Sequence, residues 1–251
     1  MHSTYYGWGL PIDISTNGWY IDLLIKVIHG VMGVLFVGWA IFLVYALIRF
    51  RARAGHKAEH HIKHFKTPTY LEVAVAITEV IFLTAFSFPI WHRYTQEFPS
   101  RDKALQVRIV AEQFAWNVHY PGKDRLFGKS DVKLMTSTNP LGLDPADPNG
   151  KDDATTINQL QIPVNTPVIV DLSSKDVIHS FSLPVMRVKQ DAIPGQSMPL
   201  WFEAKQPGEF EIACAQLCGL GHYRMRGFFT VLEQNKFDAW MTEQLTQKMG
   251  A

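Results

Sequence analysis

The sequence predicts a two-helix transmembrane hairpin followed by an all-β domain, a Greek-key sandwich or barrel. Two observations carry the hairpin: apolar runs at 27–50 and 70–91, and a cationic stretch between them. A third carries the domain: after Trp91 the chain turns to short β-rich runs separated by Pro, Gly and Asp.

Up to Arg49 at its end, the first run has His29 as its only clearly ionisable residue. At ~1.5 Å per residue, each run is long enough for a ~30 Å hydrocarbon core. The competing reading, a pair of buried core helices in a soluble protein, leaves the flanking charges unexplained. Arg49, Arg51, Arg53, Lys57, Lys63 and Lys66 are opposed only by Glu59, and no Lys or Arg precedes Lys26. The positive-inside rule therefore puts the connecting loop in the cytoplasm and both flanks outside. His56, His60, His61 and His64 crowd this loop; a solvated polar turn explains them more simply than a metal-binding tract. The expected organisation is an N-terminal periplasmic segment at 1–26, spans at 27–50 and 70–91, a cytoplasmic loop at 51–69, and a periplasmic domain at 92–251. No cleavable leader is expected, because the N-terminus lacks a basic stretch and a small-residue cleavage site.

Candidate strands are Leu105–Ala111, Phe114–Tyr120, Thr156–Ile162, Val168–Leu172, Met198–Ala204, Glu209–Ala213 and Gly227–Leu232, with a last helix over Asn235–Met249. Pro121-Gly122, Pro207-Gly208 and the stretch from Asn139 to Asp153 break them. That many short strands in this length suit a sandwich or barrel. A net charge of +1 gives no electrostatic reason to expect a nucleic acid partner.

Only two cysteines are present, and both fall in Cys214-Ala-Gln-Leu-Cys218-Gly-Leu-Gly-His222-Tyr-Arg-Met225. Two thiols, an imidazole and a thioether form a soft to borderline donor set that suits copper over Mg²⁺ or Ca²⁺. His179 lies upstream in Asp176-Val-Ile-His-Ser-Phe181. A mononuclear blue-copper site needs two His, one Cys and a weak Met; this chain has that set plus a second cysteine. A disulfide would close only a very small loop, with modest entropic gain. Structural zinc makes little use of a methionine. Covalent haem is excluded, since no Cys-x-x-Cys-His occurs.

Glu72 and Glu79 lie within the second run, seven residues apart and so on one helical face. Ionisable groups at membrane depth are costly and are functional candidates. Thr69 to Glu72 also reads as a capping box at a helix start. Glu79 is expected to hydrogen-bond into a neighbouring helix.

These motifs resemble the CuA domain of cytochrome c oxidase subunit II, the copper-carrying subunit of haem–copper oxidases, in its bacterial form. The resemblance covers the hairpin, Gln113-Phe-Ala-Trp116, Asp176-Val-Ile-His179-Ser-Phe, Asp191-Ala-Ile-Pro-Gly195 and the ligand loop. It implies a cupredoxin-like domain holding two copper ions bridged by Cys214 and Cys218. His179 and Met225 would complete one copper, and His222 with the backbone carbonyl of Gln216 the other. The implied activity is electron transfer within an oxidase that reduces O₂ in subunit I, where the haem resides, coupled to proton pumping. The implied setting is the bacterial inner membrane, with subunits I and III as partners. The donor would be cytochrome c or another periplasmic carrier, within a respiratory supercomplex or outside one. Glu72 occupies the position that in the family lies near a proton pathway. Phe114 and Trp116 occupy the motif through which electrons are received. Arg224 and Arg226 are weaker candidates, for charge stabilisation near haem propionates.

This sequence departs from the family pattern in two places. Gln216 stands where a glutamate usually binds Mg²⁺ or Mn²⁺ at the interface with subunit I. A neutral amide is a much poorer ligand for a hard cation, so that interface metal is not carried over. Phe114 replaces the tryptophan that accepts electrons in the mitochondrial type, while Trp116 matches a later, more buried position. Competing readings are a membrane-anchored copper chaperone and another CuA electron-transfer protein. A chaperone would place its histidine at long range in a thioredoxin-like fold.

Overall fold

A computed structural model describes residues 9–55 and 65–249, which fall into two units. The loop histidines His56, His60, His61 and His64 lie outside the described residues. Residues 20–93 form the helical unit; residues 9–19 and 94–249 form the other.

In the helical unit, α1 spans Gly18–Arg49 and α2 spans Thr67–Thr95. At 32 and 29 residues both exceed the membrane's hydrocarbon thickness. Neither is buried by protein, and side chains such as Phe36 are 75% exposed. That exposure removes the soluble-core reading: so many uncovered large apolar groups need lipid or another protein. α1 begins well before residue 27 because Asp22 and Lys26 end the apolar run without breaking the helix. Arg93 donates to the Tyr20 hydroxyl at 3.0 Å and lies 4.7 Å from its ring centroid, joining the start of α1 to the end of α2.

α2 starts at Thr67 with Pro68 in its first turn, where a fixed φ suits a helix start. Thr69 is therefore already helical, and the capping box expected with Glu72 does not form; the N-cap is Lys66, without a side-chain bond. The hydroxyls of Thr78 and Thr84 donate to the carbonyls of Ala74 and Val80 at 2.8 and 2.7 Å. His29 Nδ1 lies 2.7 Å from the Ile25 carbonyl in the same i−4 arrangement. These polar groups are satisfied by their own helix, as a lipid surround requires. A π-helical turn at Phe82–Ser87 follows Glu79 within α2.

The second unit is a sandwich of ten strands: β1 Leu105–Glu112, β2 Ala115–Tyr120, β3 Ala154–Ile157, β4 Gln159–Pro163, β5 Pro167–Ser174, β6 His179–Leu183, β7 Val188–Ala192, β8 Met198–Glu203, β9 Gly208–Cys214 and β10 Arg226–Leu232. α3 follows over Gln234–Met249. One sheet has the order β3-β2-β1-β5-β8 and the other β4-β10-β9-β6-β7. Two parallel pairs, β1 with β5 and β10 with β4, sit among antiparallel neighbours, as Greek-key crossovers produce. Between the sheets pack Val107, Ile109, Trp116, Phe181, Ile212 and Phe229, all essentially without solvent exposure.

The expected strand over Thr156–Ile162 is in fact two. Asn158 adopts φ +58° and switches the chain from the first sheet to the second. Its side-chain oxygen accepts from Trp116 N at 2.8 Å, and its backbone bonds Trp116 and Phe228 at 2.7 Å each. β6 and β7 were not among the expected strands. β7 is a polar edge strand containing Lys189, Gln190 and Asp191, and β6 alternates serines with apolar residues.

The 121–153 loop returns over the outer face of the first sheet. Asp153 accepts from Gly128 N at 2.8 Å and pairs with His119 of β2 at 2.6 Å. β2 is consequently buried on both faces. Residues 9–17 also join this unit. Ile14 N donates to Val185 O, Lys205 N donates to Ile14 O, and Ser15 bridges Ala204.

Candidate metal centre

The site forms where β6 begins, β9 ends and the loop between β9 and β10 turns over. His179 opens β6 and is fully buried, while Cys214 closes β9. β6 pairs with β9 through Phe181 and Cys214, which fixes the histidine beside the thiol. His222 starts a single 3₁₀ turn ending at Arg224, and Met225 follows it into the core.

The six positions expected as ligands converge. The sulfurs of Cys214 and Cys218 stand 3.8 Å apart. His179 Nδ1 is 4.0 Å from the Cys214 sulfur, and His222 Nδ1 is 3.7 Å from that of Cys218. Met225 Sδ lies 3.6 Å from the Cys218 sulfur, and the Gln216 carbonyl 3.2 Å from the Cys214 sulfur. A disulfide needs its sulfurs near ~2.05 Å, so these are free thiols close enough to share an ion. His179, Cys214 and Cys218 alone already place three donor atoms within 4.8 Å of one another.

Electrostatics favour a thiolate. Burial raises the Cys214 pKa, but hydrogen bonding from His179 and the adjoining backbone more than offsets this and brings it to about 6. Burial and then the neighbouring Cys214 push Cys218 up to about 11. Burial opposes a charge on His179, yet its bonds to Cys214 and Asp176 raise its pKa overall. One thiolate is thus available in the metal-free protein, and a cation would be needed to hold two.

Several residues outside the expected ligand set shape the site. Asp176 lies 2.9 Å from His179 Nε2 and also accepts from Gln113 N at 2.7 Å. It thereby fixes the ring so that Nδ1 faces the thiols, the usual second partner of a metal-bound histidine. A carboxylate three residues before the histidine was the sequence signal for this. Gln113 Nε2 donates to the Cys218 carbonyl at 2.6 Å, tying the aromatic motif to the ligand loop. Phe114 is half-buried against that loop: a Cβ on Gly221 would stand 2.5 Å from its ring, so glycine is required there. Gly219, at φ +133°, is required on backbone grounds as well.

Of the two aromatic candidates, Trp116 has no exposure and packs edge-on to His179 at 6.2 Å and to Phe181 at 5.5 Å. It is a core aromatic beside the site. The large apolar or aromatic side chains that face solvent on the ligand loop are Leu217, Leu220 and Tyr223, at 76%, 97% and 85% exposure. Sequence reasoning had not singled them out. Arg226 pairs with Glu211 at 3.3 Å and lies over Phe228.

A two-sheet sandwich that gathers cysteine, histidine and methionine at one end, in a chain that also carries two membrane-length helices, defines a membrane-anchored metalloprotein of the cupredoxin-like class. The family described as cytochrome c oxidase subunit II, periplasmic domain, matches residues 105–235. An alternative cytochrome c oxidase subunit 2 from Bradyrhizobium diazoefficiens is 34% identical over 240 residues, covering 95% of this chain and 84% of that protein. The cytochrome c oxidase subunit 2 of Cereibacter sphaeroides is 28% identical over 242 residues, covering 92% and 77%. A crystal structure of the periplasmic domain of cytochrome oxidase subunit II from Bradyrhizobium japonicum shares 31% identity over 59% of this chain and 97% of that one, with a TM-score of 0.44. The chain belongs to the cytochrome c oxidase subunit II family. It is a membrane-anchored subunit with a periplasmic domain, and its family works within haem–copper oxidase complexes.

Proposed function

We propose that this chain carries a binuclear copper centre that takes electrons from a periplasmic donor and passes them to subunit I. Cys214 and Cys218 would bridge both ions; His179 and Met225 would complete one, His222 and the Gln216 carbonyl the other. The single observation behind this reading is that two imidazoles address two different sulfurs of one thiol pair. A mononuclear site has no use for that duplication. Copper held there supplies a one-electron carrier.

The protein's own contribution is rigidity and shielding. Asp176 fixes one ligand ring, Gln113 and Phe114 brace the ligand loop, and the sandwich core packs behind Met225. The apolar cluster of Leu217, Leu220 and Tyr223 is the surface through which we assign docking of the donor, cytochrome c or another carrier. Interfaces of this kind place aromatic and aliphatic groups at their centre. Trp116, buried beside His179, serves the site by packing, and Phe114 is the aromatic nearer the surface. The inner membrane as location, subunit III as a further neighbour, membership of a respiratory supercomplex, and Glu72 near a proton route are parts of the same reading. A copper chaperone is disfavoured by the fold, because the ligands sit on a two-sheet sandwich and not a thioredoxin-like domain.

Electron paramagnetic resonance on the full chain, loaded with copper in detergent, tests the centre. The expected spectrum shows hyperfine structure shared by two copper nuclei, and it is lost in Cys218→Ser. A spectrum confined to one copper nucleus overturns the binuclear assignment.

A further inference from the structure

Away from the thiols, the outer face of the first sheet carries an arginine stacked on an aromatic ring. Arg108 lies in the middle of β1, opposite His119 of β2 and Asp171 of β5. Its guanidinium carbon stands 4.1 Å from the centroid of Phe127, and Phe127 in turn packs on His119. Among the described residues it makes no hydrogen bond or ion pair. The acids near it are already engaged: Asp171 by Arg101 at 3.3 Å, Asp153 by His119 at 2.6 Å. Burial lowers its pKa from the ordinary guanidinium value, with Asp171 and Asp153 acting against that. Its guanidinium nitrogens are not among the buried atoms left unpaired, so the fork is open to solvent and can receive an anion without displacing a protein partner.

Beside Arg108 opens a cavity of about 300 Å³ between the sheet and the 130–143 loop. Its lining combines Arg108, His119 and three serines, at 130, 173 and 174, with apolar Val110, Met135 and Leu141. Of the other basic groups on the lining, Lys175 is held by Glu112 and His119 by Asp153. The outer wall is preformed. Asp131 N donates to Gly142 O at 2.8 Å, and the Asn139 side chain bonds both the N and the O of Leu143 at 2.9 Å. Gly142, at φ +61°, makes that turn possible; a Cβ there would stand 2.3 Å from the Asp131 carbonyl.

We infer that this cavity binds a small organic monocarboxylate, its carboxylate on the Arg108 fork and its short apolar body against Val110, Met135 and Leu141. A guanidinium stacked on an aromatic face keeps its in-plane donors free, and that fork matches a carboxylate in two parallel bonds. The volume sits at the lower end for small-molecule sites, which limits the body to a few carbons. The apolar side of the lining, Val110, Met135, Leu141 and Leu143, suits a hydrocarbon body and offers an inorganic oxyanion no bond there. None of this depends on the metal centre.

Calorimetric titration of the full chain in a non-ionic detergent, with hexanoate as probe and hexanamide as its neutral counterpart, tests the site. Saturable hexanoate binding is expected, weakened about ten- to hundred-fold both in Arg108→Gln and for the amide. Arg108→Lys, which keeps the charge but loses the fork, is expected to fall between, with circular dichroism and copper content unchanged in both variants. Equal binding of acid and amide would mean apolar partitioning alone and overturn the proposal. So would hexanoate binding that is absent from the wild type or indifferent to Arg108→Gln.

Discussion

His179 presents its two ring nitrogens in opposite directions, Nδ1 toward Cys214 and Nε2 toward Asp176. A neutral imidazole ligates through the nitrogen that carries no proton, so the proton belongs on Nε2, where Asp176 accepts it. Asparagine at 176 is similar in size but removes the carboxylate charge, and with it the preference for that tautomer. Asp176→Asn is therefore expected to weaken copper binding about 10–100-fold while leaving the sandwich folded. Competition against a chelator of known affinity measures the first effect, and far-ultraviolet circular dichroism checks the second. Unchanged affinity would show that backbone pairing of β6 with β9 orients His179 unaided.

At the scale of elements, a buried carboxylate, Asp153, ties the 121–153 loop to β2, and Arg125 ties it to the carbonyls of Arg101 and Ala104. Burial alone would raise the Asp153 pKa; the hydrogen bonds from His119 and Gly128, with the charge of His119, outweigh it and hold the pKa below the usual range. A carboxyl with a depressed folded pKa contributes stability that is present above its unfolded value near ~3.9. That contribution is lost as pH falls through the folded value. Asp153→Asn should therefore destabilise the domain by about 1–3 kcal/mol at neutral pH, and the gap from wild type should close as pH drops below about 4. Denaturation midpoints of both proteins across that range decide it; a gap that widens in acid would contradict the assignment. The sequence made the ligand loop legible because its donors are local, with fixed spacing from Cys214 to Met225. It also made legible those strands whose residues alternate in burial, such as β1. It concealed β6 and β7, whose side chains are polar because one meets the metal site and the other lies at a sheet edge. The sheet switch at Asn158 was equally hidden: a left-handed residue inside a run of mixed polar and apolar strand residues leaves the strand pattern readable on both sides. The cover over β2 could not be read either, since Asp153 and His119 are 34 residues apart and meet only in the fold.

At the scale of the whole chain, the periplasmic domain is completed by residues that precede the first membrane helix. Ile14 is 0% exposed in a cluster with Val185, Phe202 and Ala204, and its backbone bonds both Val185 and Lys205. Arg187 donates to the Pro11 carbonyl at 2.6 Å and the Ile12 carbonyl at 3.3 Å, which holds the same segment nearer its start. A domain assembled from both flanks of two spans requires an even number of crossings, which agrees with the side set by the basic loop. It also means that a fragment beginning at residue 92 would leave the Ile14 site open to water. The segment's contribution is measured by Ile14→Ala in the full chain. Removing its buried methyl groups should cost about 2–5 kcal/mol, read as a lower denaturant midpoint for loss of the copper–thiolate absorption. Leu10→Ala, at a side chain 47% exposed in the same segment, is the control and should shift the midpoint little. If the two variants shift it equally, the segment rests on the domain without stabilising it. The domain would then be defined by the residues after the second span alone.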